Sequence, residues 1–210
     1  MKFIKLMFPL GKISVVFYFI HLFLGQYLWK EYNWITTDIS SLTADGAPNA
    51  ELLRIFTLIY GFCFVLFTFG AVIKSFKDYG LILRIGFSIF FLMAITSAVG
   101  YNLFPLSADK NLMNFQNKMH LIVTIIVVIT TMLSLYLISF GFLKRENTKT
   151  IGKITLLAAI IITISGAFNP IVLTKGWDVL GLTERIVIFT LQFYVFYLSF
   201  VFSRPNNCRF

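Results

Sequence analysis

MHLIVTIIVVITTMLSLYLISFGFL, residues 119–143, runs without a single Asp, Glu, Lys or Arg and is followed at once by Lys144 and Arg145. A helix rises about 1.5 Å per residue, so this stretch outspans a hydrocarbon layer of ~30 Å. Its apolar positions are continuous and do not alternate with period two, which excludes a barrel strand. Outward from it, comparable runs recur at about 13–32, 52–73, 82–104, 154–173 and 184–203. Six such runs in 210 residues, with 58% apolar and only 13% charged side chains, lie far outside soluble globular composition. The expected fold class is all-α: a polytopic membrane protein, folded as a compact six-transmembrane-helix bundle. Residues 1–210 read as a single integral membrane domain.

Six crossings place both termini on one side. On that side stand twelve basic residues, among them Lys74, Lys77, Arg84, Lys144, Arg145 and Arg204, against the acids Asp78 and Glu146. The opposite side holds six basic residues against seven acids. Short basic loops stay inside, so both termini are expected in the cytoplasm and the chain in a prokaryotic plasma (inner) membrane. The net charge of +9 is therefore a topology signal with contact to anionic lipid headgroups, not a nucleic-acid footprint. Tyr27, Trp29, Tyr32, Trp34 and Trp177 fall where an interfacial aromatic belt belongs. The leading MKFIKLMFPLGK is charged like a signal peptide. The apolar run then continues through Gln26 to Trp29 with no small-residue cleavage site, which predicts a retained anchor. Cys63 lies in an apolar run and Cys208 in the tail, so both read as free thiols.

The unusual chemistry gathers at the outer ends. Loop one, residues 33–51, reads NWITTDISSLTADGAPNAE. Its turn signals and its apolar Ile39 and Leu42 favour a folded cap over a mobile loop. SAVGYNLFP at 97–105 and SGAFNP at 165–170 share small residues, an asparagine and a proline, and both read as exits from the bilayer. There Asn102 and Asn169 are placed to satisfy carbonyls that the prolines free. His120 opens the fourth span, where the helix dipole opposes protonation and a neutral ring can bond Asp109, loop one or a ligand. His21 lies deeper and reads first as an interhelical hydrogen-bonder. Glu184 suits a helix N-terminus, while Arg185 needs a partner such as Asp178, Asp38 or Asp109. Gln192 is expected to face the bundle interior.

Candidate ligand-binding residues are thus Asp38, Asn102, His120, Asn169, Asp178 and Arg185; candidate catalytic residues are His120, Asp109 and Glu184. No cofactor is expected. No metal is expected either, since zinc catalysis needs three protein ligands and the two histidines stand most of a leaflet apart. Serines 40, 41, 97 and 107 occupy no GxSxG elbow, and no phosphate-binding or dinucleotide glycine loop is present.

ITTDISSL at 35–42, NLFPL at 102–106, His120 at the start of span four and GLTER at 181–185 together resemble a known family. It is the group of prokaryotic multi-pass membrane proteins catalogued as domain of unknown function 998, and the resemblance covers nearly the whole chain. The resemblance implies a small six-helix bundle with polar residues near its outer side and implies no particular activity. The positions it carries over are the loop-one serines, Phe104–Pro105, His120 and Glu184–Arg185. Where the family often has serine–aspartate–leucine, this chain has Ser40-Ser41-Leu42 with Asp38 upstream, which weakens a catalytic acid at that place.

Four functions stay open. The leading one is binding or sensing of a lipid or small molecule through an outward-facing polar pocket. The alternatives are a membrane enzyme acting on lipid-linked substrate with His120 as acid or base, a small-molecule transporter, and a structural membrane subunit. The expected partners are membrane lipids and a small or lipid-like ligand, with no nucleic acid; sequence leaves a homo-oligomer undetermined.

Overall fold

A computed structural model describes residues 2–110 and 114–204. Cys208 and Arg209 lie outside the described residues. The helices are α1 Lys2–Met7, α2 Leu10–Leu28, α3 Ala50–Asp78, α4 Leu81–Leu103, α5 Phe115–Leu143, α6 Lys149–Lys175 and α7 Leu180–Ser203. Six apolar spans result, because α1 and α2 fall within one stretch, Ile4–Leu28, interrupted at Pro9. Proline has no N–H to donate, and at the head of α2 it costs no helical hydrogen bond. The chain is an all-α, six-span membrane bundle.

Successive helices pack against one another and α2 returns to α7, which closes a ring. Ser199 Oγ of α7 donates to Phe8 O at 2.5 Å and accepts from Lys12 N at 3.1 Å, tying the start of α2 to the end of α7. That end is the terminal face. The opposite end, covered by the connection between α2 and α3, is the cap face.

The core is an aromatic stack. Phe64, Phe67, Phe87, Phe90 and Phe142 are fully buried, with Phe64 edge-on to Phe90 at 5.6 Å and Phe87 edge-on to Phe142 at 6.0 Å. Lipid is as apolar as these rings, so close packing, not exclusion from water, must join the helices. The contact of α4 with α5 shows how: a Cβ at Gly100 would stand 2.7 Å from Val123 Cγ1. Large apolar side chains such as Phe62, Leu92, Ile129 and Phe193 point outward, where lipid covers them.

The two Asn–Pro stretches part company. α4 ends at Leu103, and Phe104 leaves the helical region, with φ −128° and ψ 67°, ahead of Pro105. α6 instead runs through Pro170 to Lys175 and closes on Gly176, whose φ of 65° allows Trp177 N to reach Val172 O. The helix therefore does not end at 165–170, unlike at 97–105. Proline removes a single helical bond and its φ suits a helix, so the chain continues to the next glycine.

Candidate functional site

Loop one is a folded cap. Its 3-10 helix, Ile39–Thr43, starts at Asp38, whose carboxylate accepts from Ser41 N at 3.0 Å and Ser41 Oγ at 2.9 Å and pairs with Lys110 at 2.6 Å. Ile39 and Leu42 are buried against Leu22 of α2 and Leu53 of α3. These two residues convert a polar connection into a lid with its own apolar underside.

The first turns of α7 staple that lid. Leu182 N donates to Ile35 O at 3.0 Å, and Ile39 N donates to Glu184 Oε2 at 2.7 Å. Arg185, 4% exposed, donates to Gly181 O at 2.8 Å, Thr37 O at 3.2 Å and the Tyr32 hydroxyl at 2.7 Å. Tyr32 in turn donates to Thr37 O and Asp38 O. Burial pushes the Tyr32 phenol up to about 12 even with Arg185 beside it, so it keeps the proton it donates. Arg185 thus meets backbone carbonyls and a tyrosine, and not Asp178, Asp38 or Asp109. A guanidinium with a planar fork suits several convergent oxygens better than one acid across the loop.

The opposite wall is the exit 104–107, and each of its carbonyls is tied down. His120 Nδ1 lies 2.8 Å from Phe104 O, Gln116 Nε2 donates to Pro105 O at 2.7 Å, and Asp45 N donates to Leu106 O at 2.8 Å. Asn117, 1% exposed, accepts from Ser107 N at 2.8 Å. His120 and Gln116 serve the carbonyls of the exit itself, and Asn102 donates only to Ala98 O within its own helix. Arg54 joins this wall to the cap by bonding Thr43 O, Asp45 and Glu51. Its guanidinium, with Gln116 adding a second hydrogen bond, holds the Asp45 carboxyl below the usual carboxylate range.

Between cap, exit and bundle lies a cavity of about 190 Å³. α2, α3, α4, α5 and α7 contribute to it. Tyr18, Tyr60 and Tyr101 supply aromatic walls, His21, His120, Glu184 and Gln192 supply polar groups, and Met93 and Leu191 mark its depth. Next to Tyr60, Phe64 packs on Phe90 at 5.6 Å and Phe90 on Tyr194 at 6.3 Å, an aromatic cluster adjoining the cavity.

Three features define its chemistry. Both histidines direct Nδ1 at a backbone carbonyl, His21 at Tyr18 O (3.0 Å) and His120 at Phe104 O (2.8 Å). A carbonyl only accepts, so Nδ1 carries the hydrogen and Nε2 is the acceptor of the neutral ring. Gln192, 1% exposed, donates Nε2 to the Tyr60 hydroxyl at 3.2 Å, while its Oε1 is buried with no partner among the described residues. Exchanging the amide ends would orphan Nε2 instead, so one end stays unsatisfied either way. Glu184 enters no salt bridge among the described residues.

Of the residues singled out in the sequence, His120, Glu184 and Asn102 line the cavity. Asp38 and Arg185 hold the cap above it. Asp109 is exposed and accepts from Ser107 Oγ, outside the cavity. Asn169 and Asp178 also stand outside it, on α6 and in the exposed turn after it; Asn169 Oδ1 is buried without a partner among the described residues. His120 lies in the second turn of α5, because that helix begins at Phe115, ahead of the apolar run. His21 lies two turns from the end of α2 and bonds within its own helix, and the two histidines, expected most of a leaflet apart, line one cavity. Sequence reasoning missed the three tyrosines, Arg54 and Gln116. Helical spacing held the signal: Ser97 and Tyr101, and Glu184, Ile188 and Gln192, recur every four residues along a single face. Among the described residues no three His, Cys, Asp or Glu gather in a metal-holding group.

The ITTDI and GLTER stretches, far apart along the chain yet hydrogen-bonded to each other, both fall within the match to a family model described as Protein of unknown function (DUF998), which covers residues 13–201. The chain belongs to the DUF998 family. No curated protein and no solved structure matches it. Membership agrees with the multi-pass membrane architecture, and the DUF998 match takes in the cap, the exit and every cavity-lining residue.

Proposed function

We propose that this DUF998 protein is a binding or sensing protein whose capped cavity faces outward from a prokaryotic plasma membrane and takes a small molecule or a lipid headgroup. The carrying observation is the unsatisfied amide of Gln192 in a mainly apolar cavity that holds a few polar groups. A polar atom buried without a partner costs roughly 1–3 kcal/mol, and a ligand that bonds it recovers that energy. The buried cluster of Phe64, Phe90 and Tyr194 beside the cavity supports binding over passage. His120 supports binding over catalysis, since its Nδ1 is oriented by a backbone carbonyl and not by a carboxylate. The outward orientation rests on the basic excess of the terminal face.

The test is retention. Wild-type protein and Ser97→Phe, which fills the cavity, are purified in nanodiscs and the co-purifying molecules compared by native mass spectrometry. A molecule held by wild type and lost from Ser97→Phe is expected; ordered water alone in the wild-type cavity would overturn the proposal. Orientation is read separately: an impermeant maleimide should label Ala47→Cys in intact cells and Asn147→Cys only after permeabilisation.

A further inference from the structure

We infer that the cavity recognises an organic ammonium group, of the kind carried by a free primary amine or by an amine lipid headgroup. The inference deepens the binding reading and rests on it. Glu184 lines the cavity with one oxygen, Oε2, bonded to Ile39 N and with no cation in salt-bridge reach among the described residues. An ionisable side chain at membrane depth is ordinarily paired. The neighbouring Arg185 does not pair with it, because its guanidinium is turned to Thr37, Gly181 and Tyr32. The cavity's own arginine, Arg54, brings no net positive charge, since Asp45 and Glu51 both bond it.

The neutral groups point the same way. With Nδ1 of His21 and His120 each given to a backbone carbonyl, Nε2 of the neutral ring is left to accept, which suits a ligand that brings donors. An ammonium brings three and the charge that Glu184 lacks. Aromatic rings stand beside them, Tyr18 meeting Tyr60 at 4.9 Å and His21 at 5.1 Å, both edge-to-face, and a ring face turned to a bound cation attracts it through its quadrupole. An anion would face Glu184 and these acceptors, and a neutral polyol would leave the carboxylate unpaired.

The experiment uses the full chain in phosphatidylglycerol nanodiscs, which contain no amine. Ethanolamine and its neutral counterpart ethylene glycol are tested by saturation-transfer NMR and thermal shift, with acetate as the anionic probe. Ethanolamine is expected to bind and ethylene glycol and acetate are not. Glu184→Gln, which keeps an oxygen for Ile39 N, should weaken ethanolamine by about tenfold or more. Gln192→Met, remote from the cap, should weaken it by a smaller factor and guards against a cap defect in the first variant. Displacement of ethanolamine by phosphatidylethanolamine, or Glu184-dependent retention of that lipid alone, assigns the ammonium to a headgroup; indifference to the lipid assigns it to a free amine. Binding of glycol or acetate that Glu184→Gln leaves unchanged overturns the ammonium assignment while the binding reading stands. No retained molecule and no bound probe overturn both.

Discussion

Gly181→Ala gives opposite signs under two lines of reasoning. Gly181 sits in the first turn of α7, where alanine is the better helix former by about 1 kcal/mol. Judged by helix propensity alone the substitution stabilises. The docked cap reverses that sign. A Cβ at Gly181 would collide with Thr37 O and stand 2.6 Å from Trp34 O. Both are backbone oxygens of the cap, so no side-chain rotation relieves the clash and the cap itself must lift. Lifting loses Leu182 N to Ile35 O, Ile39 N to Glu184 Oε2 and Arg185 to Thr37 O. A neutral bond contributes about 1 kcal/mol and one to a charged group about 1.5–3, so the three hold the cap with about 4–7 kcal/mol. Partial relaxation and the helix gain offset some of this, and a loss of about 3 kcal/mol remains. Hydrogen exchange followed by mass spectrometry over residues 35–43 should then show protection falling about a hundredfold. The core of α3 and α4 should keep its protection. Unchanged or greater protection over 35–43 would refute the docking argument and leave helix propensity as the governing term.

Other perturbations probe neighbouring joints. Tyr32→Phe removes the hydroxyl that links Arg185 to Thr37 and Asp38, and exchange at the cap should rise by an amount worth about 1–3 kcal/mol. Because the Asp45 carboxyl is depressed in the folded state, its contribution is complete above the unfolded value near 4 and is lost as pH falls through the lower folded value. Exchange over residues 44–47 should therefore rise on that acid limb, and Asp45→Asn should abolish the pH dependence. Pro170→Ala restores an N–H inside α6 and should raise the melting temperature without altering the cavity, which α6 does not line. Pro105→Ala should instead loosen the cavity wall, visible as lost protection over residues 104–107.

The spans are legible in the sequence because hydrocarbon imposes a length and a composition that survive any packing detail. The run at 119–143 needs no partner to be read as membrane helix. Ile39 and Leu42 likewise mark loop one as a cap, since an apolar pair in a polar connection must bury somewhere. Prolines are less transparent. Pro105 lies just past a helix end and Pro170 does not, and the difference lies in the residues beyond each: an anchored non-helical stretch in one case, a further turn to Gly176 in the other. Sequence alone sends Arg185 towards an acid, yet converging carbonyls serve it, and carbonyl directions are invisible before the cap is folded. Counting residues from apolar boundaries sets His21 and His120 apart. The helices overrun those boundaries, and the fold brings both rings to one cavity.

Glu184 joins the two halves of the molecule's chemistry. One carboxylate oxygen holds the cap through Ile39 N, and the carboxylate also lines the cavity that the cap covers. In the proposed site an ammonium fixes that carboxylate in place, and a fixed carboxylate is a better anchor for Ile39. Linkage then works in both directions: whatever docks the cap raises affinity for the amine, and the amine raises protection of the cap by the same factor. Gly181 touches the cap and not the cavity lining, so Gly181→Ala should lower ethanolamine affinity although the carboxylate is intact. Equal affinity in wild type and Gly181→Ala, with the cap shown to be open, would mean that the cap is only a roof and that binding and closure are independent.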